Sequence, residues 1–195
     1  KVISRHGVGY DNIDVAKATE LGIWVTFAPE SNADTVAEHA IGCIFTLARN
    51  FLQLDRETRA GNWGIRDKLL GFDLSGKVLG IVGLGKIGRR VAQKASRGLD
   101  MKVVGYDPFL GLEQIGEFAT PVTSMEEVFG AADFVSVHIP GGAATKGIIN
   151  KKLFAVMKKT AFFINASRGD VVAESDLIEA LRNGTIAGAA IDVYE

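Results

Sequence analysis

A glycine-rich hexapeptide, Gly83-Leu84-Gly85-Lys86-Ile87-Gly88, has the residue types and the spacing that suit phosphate binding. Gly83 would allow a tight turn, and Gly85 would let backbone N–H groups approach a pyrophosphate. Gly88 would let a helix pack closely on the strand before it. The glycine pattern alone is weak, but here an apolar run precedes it and a helical stretch follows, so the hexapeptide predicts a dinucleotide site.

An acidic residue at the end of the next apolar run strengthens this prediction. Asp107 lies nineteen positions beyond Gly88 and closes the run 101–106. A carboxylate at that position accepts hydrogen bonds from the ribose hydroxyls and repels a 2′-phosphate. The sequence therefore predicts NAD rather than NADP. The alternative is a glycine turn without a ligand.

Two further charged residues follow predicted strands. Arg168 stands between Ser167 and Gly169, and its planar guanidinium suits a carboxylate and can polarise a neighbouring carbonyl. Asp192 ends the last apolar run, where a nicotinamide amide is one possible partner. The alternatives are a surface arginine, and a helix cap or structural ion pair for the aspartate.

The first segment of the chain contains a possible anion pocket. The amides of Val8 and Gly9 can form a nest for a carboxylate, with Arg5 close by in sequence. A tight turn without a ligand explains the same residues. Arg5 could also meet a phosphate or a second carboxylate, which weakly favours phosphoglycerate or hydroxypyruvate as substrate.

Other chemistries find little support in the residue patterns. The histidines, His6, His39 and His138, show neither HExxH spacing nor a Cys/His cluster, so no metal site is predicted. The GxSxG signature of serine hydrolases is also missing. A single cysteine, Cys43, excludes an internal disulfide and fits a reducing cytosol.

The elements that must position these residues alternate between apolar strands and helices. Continuous apolar strands alternating with helices predict an α/β fold, a doubly wound parallel sheet of the Rossmann type. Ligands collect at the carboxyl ends of such strands, and the polar residues described above follow those ends. Ser124 and Glu127 form a capping box that predicts a helix start.

Residues 1–28 are interpreted as the edge of another domain, and the turn over residues 28–32 as the boundary to a domain spanning 29–195. One long helix is predicted over about 32–61. It is apolar around much of its girth and is expected to be buried on two sides, which predicts a homodimer.

Composition excludes several classes of function. The chain has 195 residues, 47% of them hydrophobic, and a net charge of −1. Without a basic block it shows no nucleic-acid or anionic-membrane surface. It contains no apolar run of membrane-spanning length and opens with no signal peptide. The sequence starts without Met, inside an apolar run, which suggests a fragment of a longer protein.

Taken together the motifs resemble the D-isomer-specific 2-hydroxyacid dehydrogenases, and within them the D-3-phosphoglycerate dehydrogenase-like branch. The resemblance rests on residues 7–14, Val36-Ala37-Glu38-His39, the glycine hexapeptide, Asn165-Ala166-Ser167-Arg168-Gly169 and residues 188–193. It implies an NAD-dependent oxidoreductase that interconverts a D-2-hydroxy acid and its 2-oxo acid. It also implies that the nucleotide domain is inserted into the sequence of the substrate domain.

The resemblance assigns roles to single residues. Lys86 and Ile87 would contact the pyrophosphate, Asp107 the ribose, and Ile139, Pro140 and Thr145 the adenine and ribose side. Ala166, Ser167, Arg168 and Asp192 would meet the nicotinamide end. Arg168 would be the catalytic arginine, and Val8 and Gly9 would hold the substrate carboxylate.

The chain also departs from the family pattern. The family's catalytic Glu and His would fall past Glu195, so the fragment is expected to bind cofactor without turnover. Gly141-Gly142 replaces a larger pair, and Phe27 replaces an Asn. Two alternatives stay open at this point: a non-catalytic, corepressor-like NAD-sensing module, and a formate- or phosphite-type dehydrogenase.

Overall fold

The computed structural model describes residues 1–29 and 31–195, so Glu30 in the predicted boundary turn lies outside the described residues. The strands are β1 (Val2–Ser4), β2 (Trp24–Thr26), β3 (Val78–Val82), β4 (Lys102–Tyr106), β5 (Thr120–Pro121), β6 (Phe134–Val137), β7 (Phe162–Asn165) and β8 (Gly188–Ile191). The helices are α1 (Val15–Glu20), α2 (Ala33–Ala48), α3 (Phe51–Arg59), α4 (Lys86–Leu99), α5 (Leu112–Gly116), α6 (Met125–Ala131), α7 (Lys151–Val156) and α8 (Glu174–Arg182). Short 3₁₀ turns span Trp63–Asp67 and Gly169–Val171.

The main sheet has six parallel strands in the order β5-β4-β3-β6-β7-β8. The first strand of this sheet along the chain is β3, in the middle, and the following strands β4 and β5 lie successively outward on one side. The chain then returns to β6, on the other side of β3, and continues outward to β8. This is the strand order of a dinucleotide-binding fold, whose ligand crevice opens where the direction of winding reverses. The predicted doubly wound α/β fold is confirmed.

Both faces of the sheet are covered by apolar packing. One buried cluster joins α2 and α4 to the sheet through residues such as Ile44, Val91 and Ile81. The cluster on the opposite face joins α6, α7 and α8 through residues such as Phe129 and Phe163. Because each face is buried, the strands read as continuous apolar runs in the sequence.

The predicted single helix over 32–61 is wrong, because the structure breaks it into α2 and α3. Asn50 adopts the left-handed backbone region with φ 53°, a conformation that Asn tolerates better than most residues. The carbonyl of Ala48 accepts a hydrogen bond from Phe72 N at 3.1 Å. Asn50 Nδ2 donates to the Leu70 carbonyl at 3.3 Å, so a returning segment holds the break.

The expected burial of this region also holds only in part. In α2, Ala37, Ala40 and Ile44 have no exposed surface. In α3 no residue is buried, and Leu52 is 77% exposed. The apolar side chains of Phe51 and Leu52 in α3 are therefore mostly exposed, whereas Leu54 is partly covered.

Residues near the start of the chain form a separate two-stranded parallel sheet of β1 and β2. Helix α1 connects them, and the Asp14 side chain caps it by accepting from Lys17 N at 2.8 Å. The domain division at residue 28 stays a prediction. None of the helices in the part of the chain that is described is long and apolar enough to cross a bilayer.

Candidate functional site

The glycine hexapeptide forms the turn from β3 into α4, and two of its glycines are required by close backbone contacts. Gly83 has φ 90°, and a Cβ there would lie 2.6 Å from the His138 carbonyl oxygen at the end of β6. A Cβ on Gly88 would overlap the Gly83 carbonyl oxygen. The glycines therefore allow the turn and the close approach of helix and strand, as predicted from the sequence.

The space in front of the turn is open where a phosphate would approach. A Cβ on Gly85 would meet nothing within 4 Å. Gly85, the N-cap residue of α4, has no side chain that could cap the helix, and the first turn of this fourteen-residue helix contains no acidic residue. Helix N-termini of this kind favour anions. The residues present thus fit a dinucleotide pyrophosphate.

The Asp107 carboxylate lies beside the same turn. Its Oδ2 accepts from Leu84 N at 2.9 Å, and its Oδ1 accepts from Phe109 N at 2.9 Å. Backbone amides from two loops therefore orient the carboxylate at the end of β4. An ionised carboxylate has about four acceptor positions, so it retains the capacity to accept from ribose hydroxyls.

The loop after β6 is tied to the loop after β7. Thr145 Oγ1 donates to the Pro140 carbonyl at 2.7 Å, within the loop that was predicted to line the adenine side. Asp170 Oδ2 accepts from Gly142 N at 3.0 Å. A Cβ on Gly141 would lie 2.6 Å from Asp170 Oδ1, so the close approach of the two loops requires glycine at this position.

His138 lies directly after β6 beside the glycine turn, partly exposed as a residue but with a buried Nδ1. Its Nε2 lies 2.9 Å from Ser136 Oγ, and its Nδ1 has no hydrogen-bond partner among the described residues. Burial lowers the pKa of His138 from 6.5 to about 4, because the apolar surroundings disfavour the charged ring. His138 is thus neutral near pH 7.

The loop after β7 is organised by Asn165, which the sequence analysis quoted only as part of a motif. Its Oδ1 accepts from Ser167 N at 3.0 Å and from Ser167 Oγ at 2.8 Å. Its Nδ2 donates to the Arg168 carbonyl at 2.8 Å. Since Asn165 is only 1% exposed, a polar residue inside an apolar strand was the signal that could have identified it.

Arg168 and the first segment of the chain meet across a cleft. Arg168 Nε donates to Asp11 Oδ2 at 2.9 Å, and Arg168 Nη1 donates to the Ser167 carbonyl at 2.7 Å. The second terminal nitrogen lies against Gly9, because a Cβ there would overlap it. The structure thus brings together Arg168 and the loop that contains Val8 and Gly9. The cleft beside them has a volume of about 530 Å³.

Arg5 is engaged with its own loop. Its Nε donates to the Gly9 carbonyl at 2.8 Å, four residues along the chain. This contact orients the loop. The role of Arg5 in binding a second anionic group stays a prediction.

Asp192, directly after β8, lies beside the middle of α2. His39 Nε2 is 3.5 Å from Asp192 Oδ1 and 3.6 Å from Cys43 Sγ. Burial, and secondly the Asp192 carboxylate, raise the pKa of the Cys43 thiol. Among the described residues, no cluster of three or more His, Cys, Asp or Glu side chains could hold a metal ion.

Comparison with known proteins identifies the protein family to which the chain is similar. Residues 41–195 match the model of the D-isomer specific 2-hydroxyacid dehydrogenase, NAD binding domain. The chain belongs to this family. The resemblance inferred from the motifs is confirmed, and NAD is the cofactor of the domain.

The most similar relatives include D-3-phosphoglycerate dehydrogenase 3, chloroplastic, of Arabidopsis thaliana, which is 42% identical over the whole chain. D-3-phosphoglycerate dehydrogenase of Bacillus subtilis is 43% identical, again over the whole chain. The chain covers 33% of the first protein and 37% of the second. It therefore spans about a third of the length of these relatives.

Solved structures agree with the domain's architecture. D-lactate dehydrogenase from Aquifex aeolicus, in complex with NAD and lactic acid, matches with a TM-score of 0.88 and 33% identity. A glyoxylate reductase from Paecilomyes thermophila matches with a TM-score of 0.89 and 36% identity. The whole chain is covered in both matches, together with 58% of each structure. These likenesses do not favour the two alternative readings, the sensing module and the formate or phosphite enzyme.

Proposed function

We propose that this chain is the cofactor-binding part of an enzyme that interconverts a D-2-hydroxy acid and its 2-oxo acid. The observation that carries the proposal is that the glycine turn, Asp107 and Arg168 follow the carboxyl ends of three parallel strands in one sheet, β3, β4 and β7. The turn would hold the pyrophosphate through the amides of Lys86 and Ile87, and Asp107 the adenosine ribose. When bound, NAD supplies or accepts the hydride.

The remaining predicted contacts to the cofactor come from residues that follow β6, β7 and β8. Ile139, Pro140 and Thr145 would line the adenine and ribose side. Ala166, Ser167 and Asp192 would contact the nicotinamide end. These roles rest on position at the strand ends and on the family resemblance.

On the substrate side, the guanidinium of Arg168 would bind the carboxylate and polarise the carbonyl of the 2-oxo acid. The amides of Val8 and Gly9, in the loop that the Arg168 guanidinium contacts, would hold the carboxylate from the other side. The candidate acids are 3-phosphoglycerate and the glycerate/hydroxypyruvate pair, and Arg5 favours phosphoglycerate or hydroxypyruvate among them. The proton donor to the carbonyl would come from parts of the enzyme outside this chain.

Binding of NADH to the purified chain tests the cofactor half of the proposal. Isothermal titration of NADH and NADPH should show saturable binding with NADH preferred. Equal affinity for the two cofactors, or a preference for NADPH, would contradict the assignment of Asp107.

The substrate half is tested in the full-length protein. Replacing Arg168 with Ala should raise KM and lower kcat together, because the guanidinium would act on both the bound acid and the reacting carbonyl. Near-normal kinetics would remove Arg168 from the mechanism.

We also propose a homodimer formed through the α2–α3 region, in a protein of the cytoplasm. Phe51 is 51% exposed and Leu52 77% exposed on α3, which leaves apolar surface for a second copy. The free Cys43 thiol suits a reducing compartment. In sedimentation velocity the Leu52→Glu variant should shift toward monomer, whereas Leu112→Glu, changed at a 58% exposed position elsewhere, should not.

A further inference from the structure

The backbone of Asp192 is fixed by a hydrogen bond to the neighbouring strand, whereas its side chain makes a partly exposed contact. Its N–H donates to the Asn165 carbonyl at 3.0 Å, which extends the pairing of β7 and β8 by one residue. The carboxylate is half exposed. In the part of the chain that the structure describes, His39 is the side chain found at ion-pairing distance from it, 3.5 Å from Nε2 to Oδ1.

His39 itself stands on a rigid support. Helix α2 packs against β7 and β8, and Ala37 and Ala40, on either side of His39, have no exposed surface. The backbone of His39 is therefore fixed by the core of the domain, while its imidazole is about half exposed.

A nucleophilic relay of cysteine, histidine and aspartate does not fit this cluster. The contacts of His39 with Cys43 and with Asp192 both involve Nε2, whereas a relay needs one ring nitrogen for each neighbour. The Cys43 thiol is also disfavoured as a thiolate by burial and by the nearby carboxylate. The cluster is better suited to orienting a carboxylate than to attacking a substrate.

We infer that His39 is a positioning residue that orients the Asp192 carboxylate toward the nicotinamide end of the cofactor. The inference rests on the proposed function, which places that end beside Asp192. An N–H at Nε2 attracts the carboxylate in the neutral and in the charged ring, so the action does not require a change of charge. The adenosine end, held at Asp107 on the other side of the crevice, should not depend on His39.

Two ligands separate this role from a general structural one. NADH contains the nicotinamide, and ADP-ribose contains the same adenosine and pyrophosphate without it. Partly exposed ion pairs correspond to about a two- to fivefold change in an equilibrium constant. Titration of the purified His39→Ala variant should therefore raise the Kd for NADH about two- to fivefold and leave the Kd for ADP-ribose unchanged.

Three further variants sharpen the test. Gln in place of His39 retains an N–H donor and should restore part of the NADH affinity. Glu38→Ala changes the neighbouring position on α2, whose side chain pairs with Lys94, and should leave both affinities unchanged. In an Asp192→Ala background, removing His39 should have no additional effect on NADH.

The outcomes are distinct. Unchanged NADH affinity in His39→Ala, or equal weakening of both ligands, would overturn the inference while leaving the proposed function standing. Failure of the unaltered chain to bind either ligand would overturn the proposed function and this inference with it.

Discussion

Replacing Asp107 with Asn should change the cofactor preference of the domain. The carboxylate accepts one hydrogen bond from Leu84 N and one from Phe109 N, each at 2.9 Å. An ionised carboxylate has about four acceptor positions, so two remain for the ribose hydroxyls. The Asn side chain has a similar shape but loses the charge and half of the acceptor capacity.

The magnitude follows from two contributions. A hydrogen bond to a charged acceptor is worth about 1 kcal/mol more than one to a neutral acceptor, so NADH should bind roughly fivefold more weakly. A 2′-phosphate of charge about −2 at about 5 Å from a carboxylate is repelled by about 1.7 kcal/mol in a water-like dielectric. Removing this repulsion should strengthen NADPH roughly fifteenfold. The ratio of the two affinities should therefore shift by nearly a hundredfold.

Isothermal titration of both cofactors at one salt concentration measures this ratio. Asp100→Asn is the matched control, because it makes the same chemical change at the end of α4, where the backbone is left-handed and tolerates Asn. The control should leave the ratio unchanged. If Asp107→Asn also leaves it unchanged, Asp107 does not select the cofactor and the reasoning fails.

The remaining predictions concern stability. In urea titrations Gly88→Ala should lower the free energy of unfolding by about 1–3 kcal/mol, because a Cβ would overlap the Gly83 carbonyl. Gly98→Ala on the same helix, with nothing within 4 Å, should instead be neutral or stabilising by up to about 1 kcal/mol. The pKa of His138 is lowered from 6.5 to about 4 in the folded state, so the unfolded chain binds the proton more readily. The free energy of unfolding should therefore keep its full value above pH 6.5 and fall by about 3 kcal/mol in total as the pH falls toward 4. The His138→Gln variant should lose this part of the pH dependence, and an unaltered slope would contradict it. In the same titrations Asn165→Ala should lower the free energy of unfolding by about 2–3 kcal/mol, because it leaves the Ser167 amide and hydroxyl and the Arg168 carbonyl without their partner. A smaller loss would mean that water takes the place of the Asn165 side chain.

The sequence predicted the alternation of strands and helices well, because strands buried on both faces are recognisable as apolar runs. It missed β5, which has two residues, and α5 (Leu112–Gly116), whose N-cap residue Gly111 has no side chain to signal a helix start. It also missed the break at Asn50, because nothing local to Asn shows that residues 70–72 will return to bond the end of α2.

In the candidate site, too, local features could be predicted from the sequence and contacts between distant residues could not. The glycine turn and Asp107 were predictable because local spacing determines them. The pairing of Arg168 with Asp11 was not, because the two residues are 157 positions apart and only the completed sheet brings them together. The contact of His39 with Asp192 likewise depends on how α2 lies across the last strands.

The link between Arg168 and Asp11 has a consequence for how the chain is made. A ribosome releases the first segment long before residue 168 emerges, so the loop around Asp11 must wait for its partner during synthesis. Until then the Asp11 carboxylate lacks the ion pair with Arg168 that joins this loop to the main sheet. A substitution at Arg168 should therefore affect a loop that lies 157 residues earlier in the sequence, as slower maturation of that loop.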